Sequence, residues 1–175
     1  MKDLERLRAA IREVPDFPRP GIGFKDVTPL LSDPALFREA VDALADLHRK
    51  ETIDVVAGIE ARGFIFASAL AYALGAGLCL LRKPGKLPAR TLRIEYVLEY
   101  GTDALEIHAD AFRPGQRVLL ADDLLATGGT AAAAARLIRE NFDVELVSAD
   151  FLIELSFLEG RKALHPLPVH TLIQF

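Results

Sequence analysis

The stretch VLLADDLLATGGT, Val118 to Thr130, runs four apolar residues into two adjacent aspartates, Asp122 and Asp123, and then into a Thr-Gly-Gly-Thr turn followed by alanines. Neighbouring carboxylates at the mouth of an apolar strand repel each other, so packing gives no reason for them. The rest of the stretch supplies a chemical one. Glycine lets the backbone close on a ligand, and the free N–H groups at the start of a helix favour an anion. Ala126, Thr127, Gly128, Gly129 and Thr130 therefore read as a phosphate nest. Ionised carboxylates beside it would accept hydrogen bonds from two vicinal hydroxyls, and ribose 5-phosphate has that shape. No Lys-Ser or Lys-Thr follows the glycines and their spacing is not G-x-G-x-x-G, so neither a Walker loop nor a dinucleotide fingerprint is present. The plain alternative is an acidic residue pair favoured by a helix dipole.

Other anion-binding chemistry is spread along the chain. In GIEARGF, residues Glu60, Ala61 and Arg62 follow an apolar run, and Arg62 can give planar, paired contacts to phosphate oxygens. Arg82, Lys83 and Lys86 form a basic cluster after the next apolar run, suited to a polyanion or simply to solvent. The four histidines, His48, His108, His165 and His170, have no metal-ligand spacing and receive no catalytic role.

The elements that must position these groups follow from periodicity. Leu4, Leu7, Ile11 and Val14 share a helical face, and Pro15 to Gly23 should be irregular. Ser32, Asp33 and Pro34 start a helix expected to reach about Lys50, with Leu36, Phe37, Ala40, Val41, Leu44 and Leu47 as its buried stripe. Residues 53–59 read as a buried strand, 64–74 as a helix ending at Gly75, and 77–82 as the next strand. Two buried strands around a helix imply a parallel sheet. A strand ending in the two aspartates, a helix over 129–141 and a strand over 144–155 continue the alternation. Between Lys86 and Phe112 an alternating pattern broken by Gly101 predicts a two-stranded antiparallel arm. The fold class is thus α/β.

At 175 residues the chain has the size of one domain, and a composition 51% hydrophobic and 26% charged suits a globular protein. The net charge of −4 argues against nucleic-acid or membrane partners, so an anionic ligand must be met locally. The single cysteine, Cys79, lies in an apolar run and reads as a core residue in a reducing compartment. The N-terminus lacks a signal-peptide h-region, and no apolar run reaches the roughly 18 residues of a membrane span. A cytoplasmic location is expected.

The segment VLLADDLLATGGT resembles the ribose-phosphate signature of the type I phosphoribosyltransferases, and its LLATGGT form is most similar to the adenine phosphoribosyltransferases of that family. PDFPRPGIGFKDVTPLL, GIEARGF, and RKPGKLP followed by EYVLEYGTDALEIHADA match the same family in order, from about Pro15 to the final residues. The resemblance implies a single domain over 1–175, with a base-covering hood over 1–33 and an α/β core over 34–175 that carries the flexible arm at about 86–112. It also implies that adenine and phosphoribosyl pyrophosphate give AMP and pyrophosphate, with magnesium held through the substrate rather than directly by the protein, in a homodimer.

Roles follow by resemblance. Asp122 and Asp123 would hold the ribose hydroxyls, and Ala126 to Thr130 the 5′-phosphate. Glu60, Ala61 and Arg62 would form the pyrophosphate loop, with Arg82, Lys83 and Lys86 serving the same leaving group, partly across the dimer. Glu99 would exchange a proton with the purine, and Tyr100 would help close the lid; without the EYG triplet, Glu95 or Glu106 would be equally good choices. Adenine would stack on Phe24 and be read by the backbone of Gly23 and Lys25, although Phe24 also reads as an ordinary core aromatic. Two residues depart from the family pattern: Lys25 stands where arginine is common, and Ala121 replaces a larger apolar residue. Another base, or a regulator that senses the sugar phosphate without catalysis, would be the alternatives; a regulator would need a DNA-binding module for which the chain has no spare length.

Overall fold

The prolines at 15, 18 and 20 hold the N-terminal segment away from helix, and the hood is built on either side of them. The structure, a computed structural model, describes residues 4–98 and 101–175. Helix α1 (Leu4–Ala9) ends earlier than the helical spacing predicts, with Ile11 in the bend that follows it and Val14 in a strand. Strand β1 (Arg12–Val14) pairs antiparallel with β2 (Phe24–Asp26), and Arg12 reaches Asp26 at 3.0 Å through Nε. The cross-strand ladder and this ion pair outweigh a fourth helical turn.

A short helix α2 (Thr28–Ser32), absent from the sequence reading, leads into α3 (Pro34–Asp46). Asp33 caps α3 by accepting from the N–H groups of Ala35 and Leu36 at 2.8 and 3.0 Å, with Pro34 in the first turn as expected. The helix stops at Asp46 rather than near Lys50, and Leu47 is left 43% exposed instead of joining the buried stripe. Then β3 (Val55–Ile59), α4 (Gly63–Leu74) and β4 (Gly77–Leu81) form the expected strand, helix and strand, with Gly75 closing α4 at a φ of 68°. Strands β5 (Thr91–Leu98) and β6 (Gly101–His108) make the antiparallel arm. Strand β7 (Arg117–Leu125) runs through both aspartates rather than ending at them, and α5 (Gly129–Asn141) spans the predicted helix. Strand β8 (Glu145–Glu154), the single turn α6 (Arg161–Leu164) and β9 (Val169–Gln174) complete the chain.

The central sheet is parallel, in the order β4-β3-β7-β8-β9. Leu44 of α3 and Phe66 and Leu70 of α4 cover one face against Val56, Leu119 and Leu152. Ala134, Leu137 and Ile138 of α5, with Leu105 and Ile107 of the arm, cover the other against Ala57, Leu120 and Phe151. Cys79 is in this second core, where burial pushes its thiol up to about 12. From β3 the chain passes outward to β4 and returns on the other side of β3 as β7. The strand order reverses there, and in an open parallel sheet the carboxyl ends of such strands are where a ligand cleft opens. Among the described residues no helix is long and apolar enough to cross a membrane.

Candidate active site

A cleft of about 400 Å³ opens at that reversal, lined by Ile59, Glu60, Ala61 and Arg62 after β3 and by Asp122 through Ala131 of β7 and the turn into α5. The structure thus brings together the two motifs that the sequence assigns to sugar and leaving group. No side chain caps α5. Its first N–H groups therefore remain for a ligand, as a phosphate nest requires.

The turn holds its shape through glycine. Gly128 has a φ of 82°, and a Cβ there would stand 2.4 Å from the carbonyl oxygen of Gly160. A Cβ on Gly160 would in turn lie 2.2 Å from the Ala126 carbonyl oxygen. The phosphate loop is pressed backbone to backbone against the turn before α6. Gly160 sits in FLEGRKAL, a segment given no role from sequence; its glycine was the available signal. Gly63 is the second residue whose part sequence reasoning missed, since a Cβ there would come within 2.5 Å of Asp122 Oδ1.

Burial works against ionisation of the acid pair. Burial, and then the charge of Asp123, push the Asp122 carboxyl well above the usual range. Asp123, only 4% exposed, is also raised by burial, with Arg62 opposing. Asp122 Oδ1 accepts the Asp123 N–H at 2.8 Å. Arg62 Nε lies 2.7 Å from Asp123 Oδ2, off the line of an aligned hydrogen bond, and its guanidinium sits 4.9 Å from the centre of the Phe24 ring. One arginine therefore touches both Asp123 and the hood.

Of the other predicted residues, Glu60 and Ala61 line the cleft, while Arg82, Lys83, Lys86, Gly23, Phe24 and Lys25 lie outside its lining. Glu60 gathers the basic cluster: it accepts from Lys83 N at 2.8 Å and Arg82 Nε at 3.3 Å and pairs with Lys86 Nζ. Burial opposes ionisation there, yet Lys86, the Lys83 N–H and Arg82 bring the Glu60 carboxyl down to about 2. Lys83 turns its ammonium toward the arm, to Asp103 and, at 3.2 Å, to the Tyr96 hydroxyl. In the hood, Phe24 meets Phe17 edge to face at 5.2 Å, and a hollow of about 170 Å³ opens among Val14, Phe17, Phe24 and Asp26. Gly23 is backed by Glu13, and the Lys25 side chain points away from the cleft, to Glu13 Oε2 at 2.9 Å and over the Phe175 ring at 4.2 Å. Glu99 and Tyr100 lie outside the described residues. The arm does approach the nest, since the Val97 carbonyl oxygen is 3.9 Å from where a Cβ on Gly129 would stand. Two of the histidines set aside from sequence, His48 and His170, converge on Asp150, which pairs with Ala121 one residue before the acid pair; none of the three lines the cleft.

Residues 26–154 match the model of the phosphoribosyl transferase domain. The chain belongs to the phosphoribosyltransferase family. It is 56% identical over 172 residues to an adenine phosphoribosyltransferase of Anaeromyxobacter dehalogenans, covering 98% of this chain and 99% of that one. The crystal structure of adenine phosphoribosyltransferase from Thermoanaerobacter pseudethanolicus matches with a TM-score of 0.95 at 52% identity, over 98% and 99% of the two chains. The enzyme from Saccharomyces cerevisiae, solved with adenine and an imino-altritol bisphosphate, matches with a TM-score of 0.91 at 40% identity, over 97% of each. A phosphoribosyltransferase fold accounts for the sheet, the arm and the place of the nest.

Proposed function

We propose that the protein is an adenine phosphoribosyltransferase of purine salvage, converting adenine and phosphoribosyl pyrophosphate to AMP and pyrophosphate. The observation that carries this reading is the buried acid pair beside an uncapped, glycine-built helix start, with Arg62 linking it to Phe24 of the hood. The yeast relative, solved with adenine and a sugar bisphosphate, supports the choice of base and of sugar phosphate.

The 5′-phosphate takes the N–H groups and hydroxyls of Ala126 to Thr130, and Asp122 and Asp123 accept from the ribose hydroxyls. Substitution at the anomeric carbon passes through an oxocarbenium-like state, which nearby carboxylates stabilise electrostatically. Releasing Arg62 from Asp123 frees a guanidinium for the pyrophosphate at the same step that the sugar binds. Arg82 and Lys86, gathered by Glu60, add positive field at that side. Magnesium, carried on substrate oxygens and water, would neutralise the leaving group; three cleft carboxylates, Asp123 already paired with Arg62 and Glu60 with Lys86, suit that arrangement better than an all-protein cage. Glu99 takes the proton that adenine loses, and Tyr100 helps close the arm. The purine stacks on Phe24, with the peptide groups of Gly23 and Lys25 reading its edge.

A homodimer belongs to the same proposal. Strand β4 is a sheet edge, and it leaves Leu78 and Leu80 exposed, a surface suited to a second copy. Sedimentation velocity should return twice the chain mass, and a monomer at micromolar concentration would remove this part. The decisive assay supplies magnesium, phosphoribosyl pyrophosphate and each purine base in turn. AMP should form from adenine; its absence defeats the proposal, and efficient formation of IMP or XMP instead would reassign the base.

A further inference from the structure

On the α3 side of the sheet, outside the lining of the cleft, three residues converge that the reaction does not use. His48 Nε2 lies 2.5 Å from Asp150 Oδ2, and His170 Nδ1 lies 3.1 Å from Asp150 Oδ1. One potential ligand atom from each residue falls within 4.8 Å of the others. The side chains of His48 and Asp150 are 1% and 0% exposed, while that of His170 is 40% exposed and opens the group to solvent on one side. Ser148 Oγ donates to Asp150 Oδ1 at 2.8 Å, which fixes the carboxylate from behind.

We propose that His48, Asp150 and His170 bind a first-row divalent transition-metal ion of the zinc class. Two imidazoles and one carboxylate, with a fourth position open to water, are a donor set that such ions take. Tetrahedral bonds of about 2.0–2.2 Å set donors roughly 3.4 Å apart, so the contacts of 2.5 and 3.1 Å to Asp150 must widen while the widest separation, within 4.8 Å, closes. Magnesium and calcium are a poor match, because a single carboxylate is the only anionic oxygen offered. The weak point of the site is His48 Nδ1, buried without a partner. Metal on Nε2 places the ring proton there, and the missing outer partner lowers affinity by about 10- to 100-fold relative to a fully supported site.

The ion would tie together the segment after α3, strand β8 and the edge strand β9, joining residues 102 and 20 positions apart in sequence. Its role is therefore structural, and its test is independent of nucleotide formation. The chelator-treated full chain is titrated with Co²⁺, followed by visible absorption, and with Zn²⁺, followed by calorimetry and melting. One ion per chain should bind, with visible bands of a low-coordinate cobalt site and a melting temperature raised by about 5 °C or more at an ion concentration of about 100 times Kd. His170→Ala, at the solvent-open ligand, should weaken binding by about 100-fold or more, while His165→Ala should leave it unchanged. If His48→Ala or Asp150→Asn fails to fold, the His170 variant still decides. No saturable binding by the native chain would leave only a hydrogen-bonded group, and binding that persists in His170→Ala would place the ion elsewhere; either result overturns the proposal.

Discussion

The loop before α5 lines the cleft and the hood meets its edge at Arg62, yet the two are held by different kinds of contact. At the loop, backbone meets backbone: Gly128 and Gly160 have no room for a Cβ, and the acid pair is sunk into the end of β7. In the hood, side-chain tips do the holding. Arg12 grips Asp26, Lys25 bridges Glu13 and the Phe175 ring, and Arg8 covers the same ring at 4.6 Å. The loop is shaped before any ligand arrives, as an anion site needs in order to avoid reorganisation. The hood's outer contacts are individually weak side-chain pairs, although Leu7, Ile11, Val27 and Leu30 root it in the core.

Substitutions can break this contrast at several points. Glu99→Gln, on the arm rather than on either surface, should lower kcat by about 100-fold or more while phosphoribosyl pyrophosphate affinity stays nearly intact; single-turnover kinetics would show it, and a comparable loss of affinity would count against proton transfer. Gly160→Ala, remote from substrate, should act as a loop mutation. We expect about 3 kcal/mol of lost stability by denaturant unfolding and a Michaelis constant for phosphoribosyl pyrophosphate raised at least about 10-fold. If the enzyme instead tolerates the methyl group, the loop is less rigid than its contacts imply.

Asp122→Asn tests the cost of the acid pair. A carboxyl raised by burial contributes most to stability below its ordinary value of 3.8, where folded and unfolded chains both hold the proton, and that contribution is lost as pH rises toward the folded-state value. The amide removes this loss. The variant should therefore melt higher than the native chain at neutral pH, with the gain shrinking as pH falls toward 3.8, while sugar-phosphate binding weakens. The smallest effect belongs to the hood. Phe175→Ala removes two cation–ring contacts and should raise the Michaelis constant for adenine by about 3-fold, leaving that for phosphoribosyl pyrophosphate unchanged.

What the sequence made legible divides along the same line. Wherever one local rule governed, as at the Asp33–Pro34 helix start, the Gly75 stop, the buried runs of β3 and β7 and the alanine-rich α5, the reading held. The N-terminal helix was overextended because Val14 fits a helical face and a strand equally well, and only pairing with Phe24 of β2 decides between them. Asp122 and Asp123 could be named from types and spacing, and Arg62 only with the support of the other motifs, since alone a strand-end arginine reads as a surface charge; Gly160 could not be named at all. Its role exists only when α6 folds back on the loop. The meeting of His48 with His170 is likewise tertiary, since no ligand spacing links residues 122 positions apart by number.

Arg62 lies against both Asp123 and the Phe24 ring, so the two ligand subsites share one side chain. Binding at either is then a linked equilibrium. Whatever factor sugar phosphate applies to the affinity for base, base must apply to sugar phosphate, and a measured cooperativity between the two substrates would report the free energy of moving that single guanidinium.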